Sequence, residues 1–465
     1  MTLEALLDTL RACPLVASVQ ASEGSPLDDP ATLARLARAS VAEGVRILRL
    51  QGVENIRAAR GGLPCIGLVK QRIEGSDVFI TPTSTEVDAL LDAGVDIVAL
   101  DATARVRPGG AALPALVERI HEAGALAMGD CDTLDSVLEA MEAGCDLVGT
   151  TLSGYTDASP PRPGPDLELV REAAARSIPV LAEGRVAEPW QAAAALRAGA
   201  IGVVVGGALN DPVKQTRAFL QACRTTAGPV GAVDLGGTWL RFGTFDDRWQ
   251  MQGSERIETP ADPQDRLAWI RARARESGVR ALGIGTGGVV DPDTGTVWRS
   301  KPLIPDHEGT VLRFDLPTYA LNDGLATAWG HACHPLFAGT RVATIALGTG
   351  VGFGIVERGR LLMGARGEPP HLNDVPTPWG SFESLLGGYA LGADPSPAQI
   401  ASAREAGVAA IRLVHGLFHP DHVVVCGGVG LGLVTGPDPV LDGLPSPFGQ
   451  DAGLYGAAAL ALWPG

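Results

Sequence analysis

The sequence predicts an α/β protein, with a (β/α)8 barrel in the first half and a separate two-lobed α/β domain in the second. At 465 residues the chain is longer than one ordinary domain. In the first half, short apolar runs alternate with amphipathic segments, and polar residues stand where those runs end. In the second half, two glycine-rich loops follow apolar strands, as expected for a nucleotide held between two related lobes.

The barrel prediction rests on eight apolar runs separated by helical segments. Intervening segments such as PALVERIHEAG and TLDSVLEAMEAG are amphipathic and end in glycine, which is typical of a helix C-terminus. Eight successive strand–helix pairs are the pattern of a (β/α)8 barrel. The runs are LVASVQ (15–20), VRILRL (45–50), CIGLVK (65–70), VDIVALD (95–101), ALAMGD (125–130), CDLVGT (145–150), IPVLAE (178–183) and AIGVVVGG (200–207).

Polar residues at the strand ends indicate where the barrel holds its site. One lysine after an apolar run is ordinarily a solvated strand end, but here the pattern recurs. In a barrel the C-terminal ends of all strands meet on one face, which carries the active site. We therefore expect a shared pocket, with Lys70 and Glu183 facing each other across it. The residues at or beside these ends are Gln20, Arg49, Lys70, Asp101, Asp130, Thr150 and Glu183.

Glycines after the last two strands predict a phosphate site. Strand seven continues into Gly184 and Arg185, and strand eight ends at Gly206 and Gly207. Such glycines, followed by a short helix, commonly form the phosphate site of a barrel. The alternative is that they only permit tight turns.

Composition excludes several classes of protein. A formal charge of −16 argues against a general nucleic-acid or membrane-surface binder, because phosphates would repel such a surface. The seven cysteines form no CxxC pair, so a disulfide framework is not expected and a reducing cytoplasm fits better. We see no signal peptide in MTLEALLDTL, and GAIGVVVGGAL (199–209) is too short to span a bilayer. We expect a soluble, cytoplasmic protein.

The first half resembles the N-acylglucosamine-6-phosphate 2-epimerase family, which acts on N-acetylmannosamine 6-phosphate. The matching blocks are GLVK, ITPTSTEVDALLDAGVDIVALDAT, MGDCDTLDS, VGTTLSGYT and AEGR…VVVGGAL, within residues 1–222. The resemblance implies that Lys70 and Glu183 carry out proton transfer. It also implies that Gln20, Arg49 and Asp130 line the sugar pocket.

The residues suit this chemistry on independent grounds. Inverting C2 of an N-acetyl amino sugar requires removal of a proton next to the C1 aldehyde of the opened ring, and its return on the other face. An acceptor and a donor are needed, both with pKa values brought toward neutrality. A lysine among apolar strands and other cations has a lowered pKa, and a desolvated glutamate a raised one. No cofactor is required.

One position departs from the epimerase pattern. After VVVGGAL the chain reads NDP, and Asp211 stands where the family usually has an arginine. A carboxylate there would repel a phosphate unless it turns away. Either another cation, Arg185 or Arg49, compensates, or the epimerase half is weakened.

The second half begins after RTTAGP (224–229), which gives predicted domains of 1–224 and 229–465. A strand leads into DLGGT (234–238), whose glycines let backbone amides approach phosphate, while Asp234 can help to hold magnesium through water. Four further motifs follow in order: IGTGGVVDPDTGTV (284–297), ALNDGLATAWGHA (320–332), IALGTGVGFGIV (345–356) and VVVCGGVG (423–430).

This ordered set resembles the ROK sugar kinases, which have an actin-like, ribonuclease H-like ATPase fold. The resemblance implies that Asp323 is the base that accepts the proton of the sugar 6-hydroxyl, that Asn322 holds a neighbouring hydroxyl, and that ATP and Mg²⁺ are used. The alternative for Asp323 is simple helix capping. The predicted nucleotide-binding residues are Asp234, Gly236, Gly237, Thr238, Gly348, Thr349, Gly350, Gly352, Gly427 and Gly428.

The segment GEPPHLNDVPTPWGSFESLLGG (367–388) matches the sugar-contacting part of the ROK family without its zinc cysteines. Glu368, His371 and Glu383 match the sugar-contacting positions. No cysteine lies between Cys333 and Cys426, and a structural zinc site needs about four ligands. We predict no zinc, with the loop held by packing of Trp379 and Phe382.

Together the two resemblances imply a bifunctional enzyme of sialic acid breakdown. It would phosphorylate N-acetylmannosamine at O6 and epimerise the product to N-acetylglucosamine 6-phosphate. Small amino sugars and their phosphates would be its partners, and a homo-oligomer is expected. One alternative is a glucokinase or N-acetylglucosamine kinase fused to a barrel of altered or lost specificity. Another is a sugar-responsive regulator, against which the barrel and the acidic charge argue.

Overall fold

The computed structural model describes residues 1–22, 24–223, 225–300, 303–392, 395–435 and 443–463. Its chain divides into two compact units, Met1–Leu220 and Gln221–Gly465. Arg224, at the predicted domain boundary, lies outside the described residues. Within the described part of the chain, no helix combines the length and the apolar character needed to cross a membrane.

The first unit is a closed barrel of eight parallel strands, each paired with its sequence neighbours, and β1 pairs with β8. This confirms the predicted (β/α)8 fold. The strands are β1 (Leu15–Val19), β2 (Ile47–Gln51), β3 (Cys65–Leu68), β4 (Ile97–Asp101), β5 (Leu126–Asp130), β6 (Leu147–Gly149), β7 (Val180–Glu183) and β8 (Gly202–Val205).

The helices around the barrel begin and end at the signals present in the sequence. Thr83 and Thr133 each form a capping box with the residue three positions later, which satisfies free amides of the first turn. The helices are α1 (Leu3–Ala12), α2 (Pro30–Ala42), α3 (Val53–Ala59), α4 (Ser84–Asp92), α5 (Leu113–Glu122), α6 (Leu134–Glu142), α7 (Leu167–Ala174), α8 (Pro189–Arg197), α9 (Gly207–Asn210) and α10 (Pro212–Ala222).

Alternation along the strands builds two apolar layers. Leu48 and Leu50 face the surrounding helices, whereas Ile47, Ile66 and Met128 belong to a separate cluster in the barrel interior. Leu6 and Leu10 of α1 join that interior cluster. These side chains fill the interior, and a cavity opens at the C-terminal ends of the strands.

The second unit contains two five-stranded sheets of similar design. In each, three antiparallel strands are followed by two parallel ones, with orders β11-β10-β9-β12-β15 and β18-β17-β16-β21-β22. The strands of the first sheet are β9 (Val230–Leu235), β10 (Trp239–Phe245), β11 (Met251–Glu258), β12 (Leu282–Thr286) and β15 (Thr318–Asn322). Those of the second are β16 (Val342–Leu347), β17 (Val351–Glu357), β18 (Arg360–Leu361), β21 (His422–Cys426) and β22 (Leu444–Pro445).

Among the residues that the structure describes, two small ribbons and seven α-helices complete this unit. The ribbons pair β13 (Val289–Val290) with β14 (Val297–Arg299), and β19 (Pro376–Thr377) with β20 (Gly380–Ser381). The helices are α11 (Pro263–Glu276), α12 (Asp323–Cys333), α13 (Phe382–Leu386), α14 (Gly388–Leu391), α15 (Pro397–Phe418), α16 (Gly427–Thr435) and α17 (Ala452–Leu462). The repeated sheet design confirms the predicted two-lobed, actin-like fold.

Glycine allows α12 and α17 to pack closely against each other and against the sheets. A Cβ at Gly330 would lie 2.7 Å from the Cα of Gly456, so the two helices touch backbone to backbone. A Cβ at Gly283 of β12 would overlap the carbonyl oxygen of Ala457 in α17. These contacts hold α12, whose first residue is Asp323, against α17 and hold α17 against β12.

We predict that Gly283→Ala destabilises the second unit by at least ~3 kcal/mol, because the added methyl group forces backbone apart in a packed interior. Thermal unfolding followed by calorimetry should show a lower midpoint for that unit and an unchanged midpoint for the barrel. Gly253→Ala is the control, since the nearest atom to its Cβ is 3.9 Å away. Equal midpoints for the two variants would contradict the packing argument.

Candidate active sites

A cavity of about 1000 Å³ opens at the C-terminal ends of the barrel strands. Its position agrees with the rule that barrel sites lie on this face. Most of the site residues predicted in the first half border it, namely Gln20, Lys70, Glu183, Gly184, Arg185, Gly206 and Gly207.

Arg49 crosses the barrel interior below this cavity and joins two carboxylates. Its Nη2 lies 2.6 Å from Asp130 Oδ2, and its Nε lies 3.1 Å from Glu183 Oε1. The Arg49 side chain is only 1% exposed. Burial opposes its charge, but Asp130 and Glu183 outweigh that effect and raise the pKa of Arg49. The guanidinium therefore fixes Glu183 relative to strands on the other side of the barrel.

Thr151, which the sequence analysis did not single out, also contacts this network. Its hydroxyl lies 2.6 Å from Asp130 Oδ1 and 3.2 Å from Glu183 Oε2, so it shares its hydrogen between two carboxylates. Thr151 borders the cavity, whereas the predicted Thr150 does not. The Thr150 hydroxyl instead bonds the backbone of Glu183, accepting from its amide at 3.0 Å and donating to its carbonyl at 2.9 Å.

Lys70 and Glu183 have pKa values displaced toward each other. Desolvation and the positive charge of Arg49 lower the pKa of Lys70, although its side chain borders the open cavity. Desolvation raises the pKa of Glu183 to about 7, against the opposing effect of Arg49. A pKa of about 7 makes both protonation states of Glu183 accessible near neutral pH, and the lowered pKa of Lys70 favours its neutral form more than in water; both shifts suit proton transfer.

Asp101 does not join the ring of strand ends expected from the sequence. It is fully buried, accepts hydrogen bonds from the amide and hydroxyl of Thr103, and pairs with Arg105 at 2.6 Å. These contacts stabilise the loop after β4, so this residue is structural.

Gly184 and Arg185 form a turn with φ values of 101° and 54°, and the first of these favours glycine. Arg185 Nε donates to the carbonyl of Gly164 at 2.8 Å, and Nη1 donates to that of Ser153. Its guanidinium lies 5.0 Å from the centre of the Tyr155 ring. The Arg185 side chain thus holds two loops beside the cavity together.

The second unit has a cavity of about 750 Å³ between its glycine loops and α12. The first loop joins β9 to β10 and the second joins β16 to β17, at equivalent places in the two sheets. The loops approach each other at Thr238 and Thr349, whose hydroxyl oxygens are 3.4 Å apart. Of the predicted nucleotide residues, all but Thr238 border the cavity: Asp234, Gly236, Gly237, Gly348, Thr349, Gly350, Gly352, Gly427 and Gly428.

Asp323 is the first residue of α12 and borders this cavity, but it is not the helix cap. Asn322 caps α12, because its Oδ1 accepts from the amides of Gly324 and Leu325 at 2.9 and 3.3 Å. The Asn322 amide also donates to Gly288 O at 2.9 Å. Desolvation raises the pKa of Asp323, and the Gly324 amide opposes this through a 2.8 Å hydrogen bond.

Asp234 lies near Asp323 at the end of β9. Desolvation raises the pKa of Asp234 to about 6, Arg241 lowers it, and Asp323 raises it further. Arg241 Nη1 is 3.5 Å from Asp234 Oδ2, and Nη2 of the same side chain pairs with Asp451. The charge of Asp323 thus raises the pKa of Asp234, as expected for two carboxylates that border one cavity.

Two comparisons with known families match the two units. The family described as "NanE: Putative N-acetylmannosamine-6-phosphate epimerase" matches residues 33–225, and the ROK family matches residues 230–377. A "Bifunctional enzyme NanE/NanK" from Brucella melitensis biotype 1 is 34% identical, with 99% of this chain and 98% of that protein covered.

The chain belongs to the bifunctional NanE/NanK family. The protein of the same name from Brucella suis biovar 1 is 33% identical, over 99% of this chain and 96% of its own. Among solved structures, the N-acetylmannosamine-6-phosphate 2-epimerase from Clostridium perfringens is 40% identical, covers 46% of this chain and 95% of its own, and has a TM-score of 0.45. The recognition of two joined enzymes from sequence is confirmed.

In this NanE/NanK chain, the segment that replaces the zinc-binding cluster differs from expectation at two positions. Glu368 does not border the cavity; its carboxylate accepts from the Arg366 amide at 2.8 Å within a local turn. Trp379 is 67% exposed, so the prediction that it packs the loop is wrong. Phe382, by contrast, is buried.

His371 and Glu383 do border the cavity of the second unit. Glu383 accepts from the Val351 amide at 3.2 Å, and a Cβ at Gly350 would lie 2.6 Å from its Oε1. Glu383 therefore links the predicted sugar segment to the second glycine loop. Among the described residues, no group of three or more His, Cys, Asp or Glu side chains is placed to hold a metal ion.

We predict that Thr151→Val raises the pKa of Glu183, because the Thr151 hydrogen bond lowers it. Losing one hydrogen bond to a carboxylate is worth ~1 kcal/mol, or somewhat under one pKa unit. Glu183 governs one limb of the pH profile for proton exchange at C2 of the sugar. The midpoint of that limb should shift to higher pH by about that amount. Exchange in D2O, followed by NMR from pH 5.5 to 9, measures it. Thr151→Ser should keep the wild-type limb, and a downward movement in Thr151→Val would contradict the assignment.

Proposed function

We propose that the barrel interconverts N-acetylmannosamine 6-phosphate and N-acetylglucosamine 6-phosphate, and that the second unit phosphorylates N-acetylmannosamine at O6 with ATP. The observation that carries the first activity is the pair Lys70 and Glu183 on one cavity with oppositely shifted pKa values. The second rests on Asp323 facing two glycine loops across a cavity. Both agree with the family membership.

In the barrel, the opened sugar presents its C2 proton between Lys70 and Glu183. One group removes that proton and the electron pair passes into the C1 carbonyl, giving an enolate whose C2 carries the acetamido nitrogen. The other group then protonates C2 on the opposite face, which inverts the centre. Neutral Lys70 with protonated Glu183 becomes ammonium with carboxylate, and the reverse reaction restores the first state. Arg49 stabilises the ionised form of Glu183 and holds it in position.

In the second unit, Asp323 accepts the proton of the sugar 6-hydroxyl as that oxygen attacks the γ-phosphorus of ATP. The P–O bond to ADP breaks and the phosphoryl group passes to O6. The glycine loops present backbone amides to the phosphates. His371, Glu383 and Asn322 hold the sugar hydroxyls. Asp234 would hold Mg²⁺ through water, and the ion neutralises charge on the phosphates when bound.

We also propose that N-acetylmannosamine is the sugar that the kinase phosphorylates, that the protein is cytoplasmic, and that it forms a homo-oligomer. The rival is a glucokinase or N-acetylglucosamine kinase joined to a barrel of altered specificity, and the departure at Asp211 is the observation that favours it. Initial rates of phosphorylation of N-acetylmannosamine, N-acetylglucosamine and glucose separate the two interpretations, and a strong preference for glucose would contradict N-acetylmannosamine as the substrate.

We predict that Lys70→Ala and Glu183→Gln each lower epimerisation by about 100- to 10,000-fold, the usual contribution of a positioned acid or base. Asp323→Asn should lower sugar phosphorylation by a similar ~100- to 10,000-fold factor. Incubation of N-acetylmannosamine with MgATP, followed by NMR, should show the 6-phosphate and then its C2 epimer with the wild-type chain.

Each half is the matched control for the other. Lys70→Ala should accumulate N-acetylmannosamine 6-phosphate at the wild-type rate, and Asp323→Asn should still epimerise that compound when it is supplied. Unchanged epimerisation in Lys70→Ala or Glu183→Gln would overturn the barrel assignment. Near-normal ATP turnover in Asp323→Asn would overturn the kinase assignment.

A further inference from the structure

The barrel cavity must bind a phosphate group of charge −1.5 to −2 if its substrate is a sugar phosphate. A phosphate in such a site needs a positive charge close to it. Four cationic side chains border the cavity among the described residues: Lys70, Arg72, Arg185 and Lys214. Lys70 is already assigned to proton transfer at C2.

Two of the remaining cations, and Arg49 below them, are engaged elsewhere. Arg185 donates to two backbone carbonyls, those of Gly164 and Ser153. Arg49 is almost fully buried between its two carboxylates. The guanidinium of Arg72 lies over the ring of Phe79, at 5.3 Å from its centre. The remaining donor of Arg185, Nη2, is buried and has no hydrogen-bond partner among the described residues, so neither Arg185 nor Arg49 presents an accessible donor to the cavity in place of the missing arginine.

Lys214 stands in the first turn of α10, directly beside the glycines that follow β8. A Cβ at Gly207 would lie 3.2 Å from the Cδ of Lys214 and 3.7 Å from its Nζ. The side chain is 64% exposed, so the ammonium group is open to the cavity. It is also close enough to the reacting centre that its charge contributes to lowering the pKa of Lys70.

Asp211 faces this lysine. Its Oδ1 accepts from the backbone amide of Lys214 at 3.0 Å, and its Oδ2 lies 3.7 Å from Lys214 Nζ. The carboxylate is thereby turned toward a cation, and its side chain is only 14% exposed. A negative charge at this position is compatible with phosphate because Lys214 stands beside it.

We propose that Lys214 supplies the positive charge that binds the substrate's phosphate group in the barrel, and that Asp211 positions its ammonium group. This inference rests on the proposed epimerase function. The phosphate is remote from C2, so the contact stabilises the ground state and the transition state alike. Its loss should raise KM and leave kcat nearly unchanged.

The test compares Lys214→Met, Lys214→Arg and Arg217→Met in epimerisation of N-acetylmannosamine 6-phosphate. Arg217→Met is the matched control, because it removes the same charge from the same helix at a residue that does not border the cavity. Lys214→Met should raise KM by about 10- to 100-fold, the usual worth of a charge-assisted contact. Lys214→Arg should stay within about threefold of wild type, since it keeps the charge.

Binding of inorganic phosphate to the barrel supplies a second readout that needs no turnover. Calorimetry should show phosphate binding to the wild-type chain and to Arg217→Met, weakened about tenfold or more in Lys214→Met. The same KM and phosphate affinity in Lys214→Met and Arg217→Met would overturn the inference. A loss of kcat at unchanged KM would also overturn it, because it would assign Lys214 to the proton-transfer groups.

The two proposals fail in distinguishable ways. A wild-type chain that does not epimerise the sugar phosphate overturns the proposed function, while the phosphate affinities still decide the role of Lys214. A wild-type chain that epimerises, with Lys214→Met indistinguishable from the control, overturns the inference alone. Circular dichroism of each variant shows whether a lost affinity reflects unfolding, in which case Lys214→Arg, with its charge kept, decides the outcome.

Discussion

The chemistry of the barrel depends on one buried ion network, in which Arg49 joins Asp130 and Glu183 across the strand ends. Burying three charged groups is unfavourable unless each is paired, and removing one partner of such a pair costs ~3–5 kcal/mol. The network is therefore poorly suited to stability alone. Its value lies in geometry, because it holds a carboxylate from β7 at a fixed distance from β2 and β5. The raised pKa of Glu183 is a consequence of the same burial.

In the second unit, the main requirement is that backbone amides come close to phosphate. Glycine residues meet this requirement, and side-chain charges are secondary. Glycines in β12, α12 and α17 let these elements touch, so that Asp323 stands at the start of a rigid helix. Asn322 caps that helix, which leaves Asp323 to face the cavity. Glu383 then joins the predicted sugar segment to the second glycine loop.

Much of this arrangement follows from the sequence. Apolar runs separated by amphipathic segments predict all eight barrel strands, and the convergence of parallel strand ends brings Lys70 and Glu183 to one cavity. The ordered glycine motifs predict both lobes of the second unit. The sequence does not predict which of two adjacent residues at the end of a strand contacts the site, because neighbouring side chains point to different sides. For this reason Thr151, and not Thr150, contacts the carboxylates.

Other residues could not be placed because local contacts compete for them. Asp101 is bound by Thr103 and Arg105, which no motif indicates. Glu368 accepts a hydrogen bond from a neighbouring turn amide, and Trp379 is exposed although tryptophan is commonly buried. Lys214 belongs to no motif at all. Its place becomes visible only when the first turn of α10 is seen beside Gly207.

The filled interior of the barrel has a consequence for the traffic of small molecules. Leu6, Leu10 and the inward-facing strand residues fill the far end of the barrel, so among the described residues the cavity at the C-terminal strand ends is where a sugar phosphate enters and leaves. Both epimers bind through this opening, so each competes with the other for the site. Solvent reaches Lys70 and Glu183 through the same opening. In D2O, both epimers that leave the site would therefore carry deuterium at C2.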